Sequence, residues 1–217
     1  GHLVHPAEVP EEGDLVAMKI LRDQLGQRVH TIHRLDRPTS GVLLFALQKK
    51  AAQRLHKALE THNFEKSYWA VVQGKLPERV WDCREPIQKD EGAPFREAHT
   101  SFRLLESRKV EALASEVEKF GGGGDILTLI EAVRHSGRFH QIRRHLLHAG
   151  FPIVGDYRYA GIETSDLLGQ LLGTGSRMLL QAKSLTLNHP ISDLEVTFTA
   201  PVAPNFEKCF PDLVLSP

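Results

Sequence analysis

Apolar and polar positions alternate along the chain with two different periods, and those periods set out its elements. Leu15, Met18, Leu21 and Leu25 recur at helical spacing and Gly26 follows as a stop, so the pattern predicts a helix from about Asp14 to Leu25. The acidic, proline-bearing stretch Glu8 to Asp14 ahead of it reads as an exposed loop. Two short apolar runs, Val29 to Ile32 and Val42 to Leu47, read as strands on either side of a charged loop. Lys49 to His62 reads as a second helix, with Ala52, Leu55, Ala58 and Leu59 on one face and Lys50, Arg54 and Lys57 on the other. Phe64 to Gly74, aromatic and β-branched and closed by glycine, predicts a strand.

Farther on, Pro77 to Pro94 looks irregular and Ala98 to Leu105 reads as a strand. Val110 to Phe120 has the Ala and Glu content of a helix, while pairing with the next run favours a strand. Gly121 to Gly124 lacks the Lys-Ser/Thr signature of a phosphate cradle and reads as a hairpin turn or loop. Ile126 to Val133 alternates as a strand, and Ile142, Leu146 and Ala149 mark a helix stopped by Gly150. Glu163 to Leu172 reads as a short helix or loop. Arg177 to Leu187 and Leu194 to Thr199 read as strands joined through His189 to Asp193. Strand runs mixed with helices predict an α+β fold, without fixing strand order.

At 217 residues with 41% hydrophobic content the chain suits one domain, or two lobes sharing a core, and no repeat or linker divides it. It has no apolar run long enough to cross a membrane and no positively charged leader, so a soluble, cytoplasmic protein is expected. Cys83 and Cys209 form neither a metal pair nor a disulfide framework, which agrees with a reducing compartment. Lys plus Arg equals Asp plus Glu at 27 each, so the mean charge says nothing of partners. Its distribution does. Arg134 to Ala149 holds Arg134, Arg138, Arg143 and Arg144 without an acid, which suits phosphate contacts, and Lys49 to Lys57 forms a second basic stripe that reads equally as a phosphate contact or as the solvated face of a helix.

The candidate chemistry starts at His33-Arg34-Leu35-Asp36-Arg37-Pro38-Thr39-Ser40-Gly41. Pro38 fixes one torsion, Gly41 lets the chain turn, and Thr39 and Ser40 can bond back to main chain, so the loop is stiff. Asp36 stands between two guanidiniums that favour its ionised form, either as a surface ion-pair knot or as a poised nucleophile. A second constellation is Lys66 and Tyr68 on the strand after the second helix. A third is Ser136-Gly137-Arg138-Phe139-His140-Gln141-Ile142-Arg143-Arg144-His145, on the approach to a helix. His140, His145 and His148 invite a metal reading, but no acid or Cys accompanies them in the helix and there is no HExxH pattern.

These three stretches together resemble the RluA-type pseudouridine synthases. HRLDRPTSG is similar to the family's catalytic motif, Lys66 and Tyr68 fall on a Lys-x-Tyr-x-Ala-x-Val-x-Gly motif, and the third stretch, followed by Pro152-Ile153-Val154-Gly155-Asp156, on Gly-Arg-x-His-Gln-Ile-Arg-x-His-Leu. Gln181 departs from a Leu-His-Ala pattern that family members often show.

The resemblance implies the family's fold, a mixed, mainly antiparallel sheet flanked by helices and loops with a central catalytic cleft. It also implies one catalytic domain over residues 1–217, with the strand that precedes Gly1 in the family missing. The implied activity is isomerisation of a uridine in RNA to pseudouridine, in the TΨC stem of tRNA. An rRNA-modifying relative and a non-catalytic RNA-binding protein are the alternatives. Asp36, Tyr68 and Arg143 are the implied catalytic residues. Arg143 pairs with Asp36, while Tyr68 stacks on the uracil and takes the C5 proton, directly or through water, only if its usual value near 10 shifts. Arg34, Arg37, Lys66, Arg138, His140 and Gln141 are expected to contact RNA. No metal or other cofactor is expected, RNA is the partner, and the protein is expected to be a monomer.

Overall fold

The computed structural model of the chain describes residue 4 and residues 15–61, 63–114 and 124–213. In chain order its elements are α1 (Ala17–Leu25), β1 (His30–Thr31), β2 (Ser40–Gly41), β3 (Phe45–Ala46), α2 (Lys49–Glu60), β4 (Phe64–Gln73), β5 (Val80–Cys83), β6 (Ile87–Gln88) and β7 (Phe95–Arg96). They continue with β8 (Thr100–Lys109), α3 (Glu111–Ala114), β9 (Ile126–Arg134), α4 (Gln141–His148), α5 (Ile162–Leu171), β10 (Leu180–Asn188), β11 (Glu195–Thr199) and α6 (Pro204–Cys209). The result is the expected α+β arrangement, a seven-stranded sheet in the order β11-β10-β4-β9-β8-β5, antiparallel throughout, with β2 added parallel to β10.

The central strand β4 is buried along nearly its whole length, and its second half, Tyr68 to Val72, is apolar because both of its faces are covered. Tyr68, Ala70 and Val72 point to one face, where Phe102, Ile130, Ile142 and Leu146 pack. Val71 and Trp69 point to the other, against Leu129, Leu168, Leu179 and Phe206. Phe102, Phe206, Ile130 and Leu146 are fully buried, each contributing roughly 1.5–3 kcal/mol. A third cluster seats α2 through Ala52 and Leu55 on Phe64, Leu185 and Leu187.

Both apolar runs beside the charged loop are shorter as strands than the pattern suggests: β1 and β3 pair only with each other, two residues long. The loop joins the sheet instead through β2, where Ser40 and Gly41 lie beside Gln181 and Ala182. Gly41 has φ 106°, and a Cβ there would fall 2.1 Å from the carbonyl oxygen of Ala182. Gly41→Ala is therefore expected to destabilise the protein by at least ~2 kcal/mol, read as a lower urea midpoint. An unchanged midpoint would show that the seam can open without cost.

Residues 77–94, read as irregular, contain β5 and β6. β5 is an edge strand with exposed and half-buried positions, so no clean alternation marks it. Val110 to Phe120 begins as the short helix α3, and the rest of that run with residues 121–123 of the glycine tip lies outside the described residues.

Candidate active site

The sequence from Asp36 to Thr39 closes a tight turn, with Thr39 N donating to Asp36 O at 2.8 Å. Leu44 N donates to His33 Nε2 at 3.2 Å across the base of the loop, and Val42 N donates to Ala182 O at 2.9 Å. Held at three points, the loop presents Asp36 at the wall of a cleft of about 1510 Å3, its side chain 32% exposed. The start of β4, the chain from the end of β9 into α4, and Arg158 complete much of the lining.

A smaller recess of about 30 Å3 joins Asp36 to Tyr68, Arg134, Arg143 and Leu180. Tyr68 reaches it because its register partners on both neighbouring strands, Ala132 and Ala182, are small. The Arg134 guanidinium lies 5.6 Å from the centre of the Tyr68 ring. Burial pushes the Tyr68 phenol above its ordinary value; Arg134 opposes that and Asp36 adds to it, so the hydroxyl keeps its proton.

Arg143, on the first turn of α4, is 5% exposed and lies between two carboxylates. Its Nη1 is 3.5 Å from Asp36 Oδ2, but its closer partner is Asp156, which accepts from Nε and from Nη2 at 2.7 Å each. Burial works against the charge on Arg143, and the bonds from Asp156 outweigh it, so the guanidinium is held more firmly protonated than usual. Asp156, 1% exposed, also accepts from the main-chain N–H of Arg158 and Tyr159 at 3.2 and 3.3 Å. It is the functional residue the sequence reading passed over. The Pro-Ile-x-Gly-Asp run pointed at it, and Gly155 there has no room for a side chain, with Arg177 O 2.2 Å from a Cβ position.

The expected RNA-contact residues divide. Arg34, Arg37, Lys66 and Arg138 all line the cleft. Lys66 is pulled down to about 8 by burial and by Arg134, and Arg138 Nε donates to Glu97 O at 2.8 Å. Gln141 is a correction. It is 2% exposed, its Oε1 accepts from Ser136 Oγ at 2.8 Å and Arg138 N at 3.0 Å, and its Nε2 donates to His99 O and Thr100 Oγ1 at 2.8 and 2.9 Å. With its amide spent inside the protein, Gln141 braces the turn into α4 and has nothing left for RNA.

His140 sits closer to the chemistry than expected, with Nε2 3.8 Å from Asp36 Oδ2 and Nδ1 3.0 Å from the Tyr159 hydroxyl. It adopts a left-handed conformation, φ 50° and ψ 34°, which costs a non-glycine residue roughly 1–2 kcal/mol. The other two histidines point elsewhere: His145 is buried against Thr100 and Glu85 O, and His148 faces Glu85. Among the described residues no group of three His, Cys, Asp or Glu side chains could hold a metal.

His33 and His140 are both pulled down to about 4, His33 by burial with Lys66 and Arg134 adding, His140 by burial against the opposing pull of Asp36. Folded, both stay neutral; unfolded, each takes a proton near its ordinary value of about 6.5. The unfolded chain therefore binds more protons between those values. Their contribution to stability is complete above about pH 6.5 and is lost as pH falls toward about 4. Urea midpoints taken between pH 7 and 5, above most carboxylate titrations, should fall with acid; a flat series would contradict the buried, neutral assignment.

A cleft lined with cations, with one carboxylate held by a buried arginine at its wall, defines an enzyme-like site suited to a polyanionic substrate. Comparison with known proteins narrows the class. A profile described as RNA pseudouridylate synthase matches residues 1–148. The tRNA pseudouridine synthase C of Pasteurella multocida is 37% identical over 93% of this chain and 84% of its own length. The protein of the same name from Pectobacterium carotovorum is 34% identical over 92% of this chain, which spans only 54% of that longer relative. Among solved structures, human RNA pseudouridylate synthase domain containing 1 shares the fold, with a TM-score of 0.70 at 24% identity over 89% of this chain and 78% of that one. The chain belongs to the RNA pseudouridylate synthase family.

Proposed function

We propose that this protein isomerises a uridine in transfer RNA to pseudouridine, with the whole chain acting as one catalytic domain. The family assignment and the names of the relatives support that reading. The single observation that carries it is Asp36, gripped through Oδ2 by Arg143 at the mouth of a recess floored by Tyr68.

The reaction breaks the bond from N1 to C1′, turns the uracil and joins C5 to C1′. A proton leaves C5 and one is gained at N1, so nothing is oxidised or reduced. Asp36 supplies the anion at the junction of sugar and base, as nucleophile or as electrostatic partner of the positive charge that develops there. Arg143, 3.5 Å away through Nη1, keeps it aimed. Tyr68 packs against the uracil; its raised value suits stacking and hydrogen-bond donation rather than proton removal.

A uridine inside folded RNA must leave its stack to reach Asp36, and Arg34 is placed on the cleft wall to fill the gap left behind. Arg37, Lys66 and Arg138 line the same cleft, where the RNA backbone passes. Replacing Arg138 with alanine should weaken binding across all sequences and reduce the salt slope of log K by about one. An unaltered slope would take Arg138 out of the phosphate path. Among the described residues no helix is long and apolar enough to cross a membrane, and a cytoplasmic monomer is the form in which we propose it works.

Release of tritium from RNA labelled at C5 of uridine tests the reaction, and mapping pseudouridine in total RNA with and without the protein tests the substrate. Release confined to one tRNA position supports the proposal. Modification in ribosomal RNA alone would replace the substrate, free uracil would indicate hydrolysis, and binding with no release would leave an RNA-binding protein.

A further inference from the structure

We infer that His140 and Tyr159 form a positioning pair for Asp36: the Tyr159 hydroxyl donates to His140 Nδ1, leaving the ring proton on Nε2, where it faces Asp36 Oδ2. The inference rests on the reading of Asp36 as the catalytic carboxylate.

The geometry runs in one line. The Tyr159 hydroxyl is 3.0 Å from His140 Nδ1, and His140 Nε2 is 3.8 Å from Asp36 Oδ2. The imidazole cannot swing freely, because Phe139 stacks on it at 3.7 Å between centroids and Tyr159 meets it edge-on at 5.7 Å and 89°. A ring clasped on one face and bonded at Nδ1 offers little edge to a phosphate, which sets it apart from an RNA contact. A separation of 3.8 Å is longer than a hydrogen bond, and such contacts tighten when substrate closes the site.

The direction of the protons follows from the surroundings. Burial pushes the Tyr159 phenol up in spite of Arg143, Arg158 and Arg144 around it, so it keeps its proton and can donate. His140 is faced by Asp36 and Asp156, which favour its charge, and by Arg143 and Arg158, which oppose it; burial prevails and the ring is neutral. A neutral imidazole has one N–H to give. A donor at Nδ1 and a carboxylate beside Nε2 both put it on Nε2.

This arm and the arginine arm share one anchor. Asp156 fixes Arg143 through two bonds and accepts from Tyr159 N at 3.3 Å, so one buried carboxylate places both. The arms also share a target, since Arg143 Nη1 and His140 Nε2 both address Asp36 Oδ2. The strained backbone at His140 fits such a role, because left-handed residues persist where surrounding structure demands them.

The test combines a spectrum with kinetics. Ring 15N spectra of the full chain at neutral pH should show the Nε2–H tautomer at His140, moving toward Nδ1–H in Tyr159→Phe. In single-turnover pseudouridine formation on saturating tRNA transcript, Tyr159→Phe and His140→Leu should each slow the step about tenfold, the worth of one charge-assisted hydrogen bond. Their RNA Kd should stay within about twofold of the wild type, a few tenths of a kcal/mol. His140→Gln, whose amide nitrogen reaches the position of Nε2, should recover to within about threefold of the wild-type rate; a purely structural role would show no such rescue. An Nδ1–H tautomer in the wild type, unchanged rates in both variants, or weaker RNA binding at an unchanged rate would overturn the pair. A wild-type protein that forms no pseudouridine is a different failure, which removes the proposed function and this role with it.

Discussion

Asp36→Asn should lower pseudouridine formation by at least about 10^3-fold while leaving the protein folded and bound to RNA. Asparagine keeps the shape of the side chain and can still accept a bond from Arg143, so the loop, pinned through Thr39, Leu44 and Val42, has no reason to move. What disappears is the negative charge at the sugar and base, and with it any covalent or electrostatic help. Because that charge also repels phosphate, RNA affinity should rise slightly in the same variant. Tritium release in parallel with a binding titration checks both halves. If Asp36→Asn keeps more than a tenth of the wild-type rate, the carboxylate is not the catalytic group and the chemistry must be reassigned.

The largest effect on stability is expected from Asp156→Ala. It would leave Arg143, 5% exposed, with its main partner gone and only the longer contact to Asp36 remaining. Stranding one member of a buried pair costs about 3–5 kcal/mol, a large part of the stability of an ordinary domain. Activity should fall as well, since the arginine would lose its aim and the turn carrying Arg158 and Tyr159 would lose its acceptor. Urea unfolding of Asp156→Ala, Arg143→Met and the double variant separates the terms. The double variant should be more stable than Asp156→Ala alone, because it removes the stranded charge. A loss in the double variant equal to the sum of the two single losses would mean that Asp156 acts through the turn rather than through the arginine.

Much of the site could be read from residue order. Asp36, Tyr68 and Arg143 stand in stretches that resemble the family's motifs, and the structure brings all three to one recess. Asp156 was harder to assign because its importance lies in what it touches: a lone acid after Gly155 looks like a surface turn until Arg143 is seen to reach it. Gln141 misled for the opposite reason. It occupies a motif position beside two cleft residues, yet the helix turns its amide toward β8, where Thr100 and His99 O take it up.

The fold shows the same division. Long periodic elements such as α2, β4 and β9 were legible from their own residues. β2 and β5 were not, since two exposed residues beside Ala182 and a four-residue edge strand without alternation become strands only through partners supplied by other parts of the chain.

The order of the sheet has a consequence for how the protein is made. β4 is synthesised early, yet both its neighbours, β9 and β10, come from the second half of the chain, and Asp36 meets Arg143 across a sequence separation of 107. While the ribosome is still translating those later codons, β4, with its apolar run Tyr68 to Val72, has two open edges, the kind of intermediate that recruits other nascent chains. Growth at high temperature or with depleted chaperones should therefore lower the yield of soluble protein more than the stability of the finished molecule would suggest.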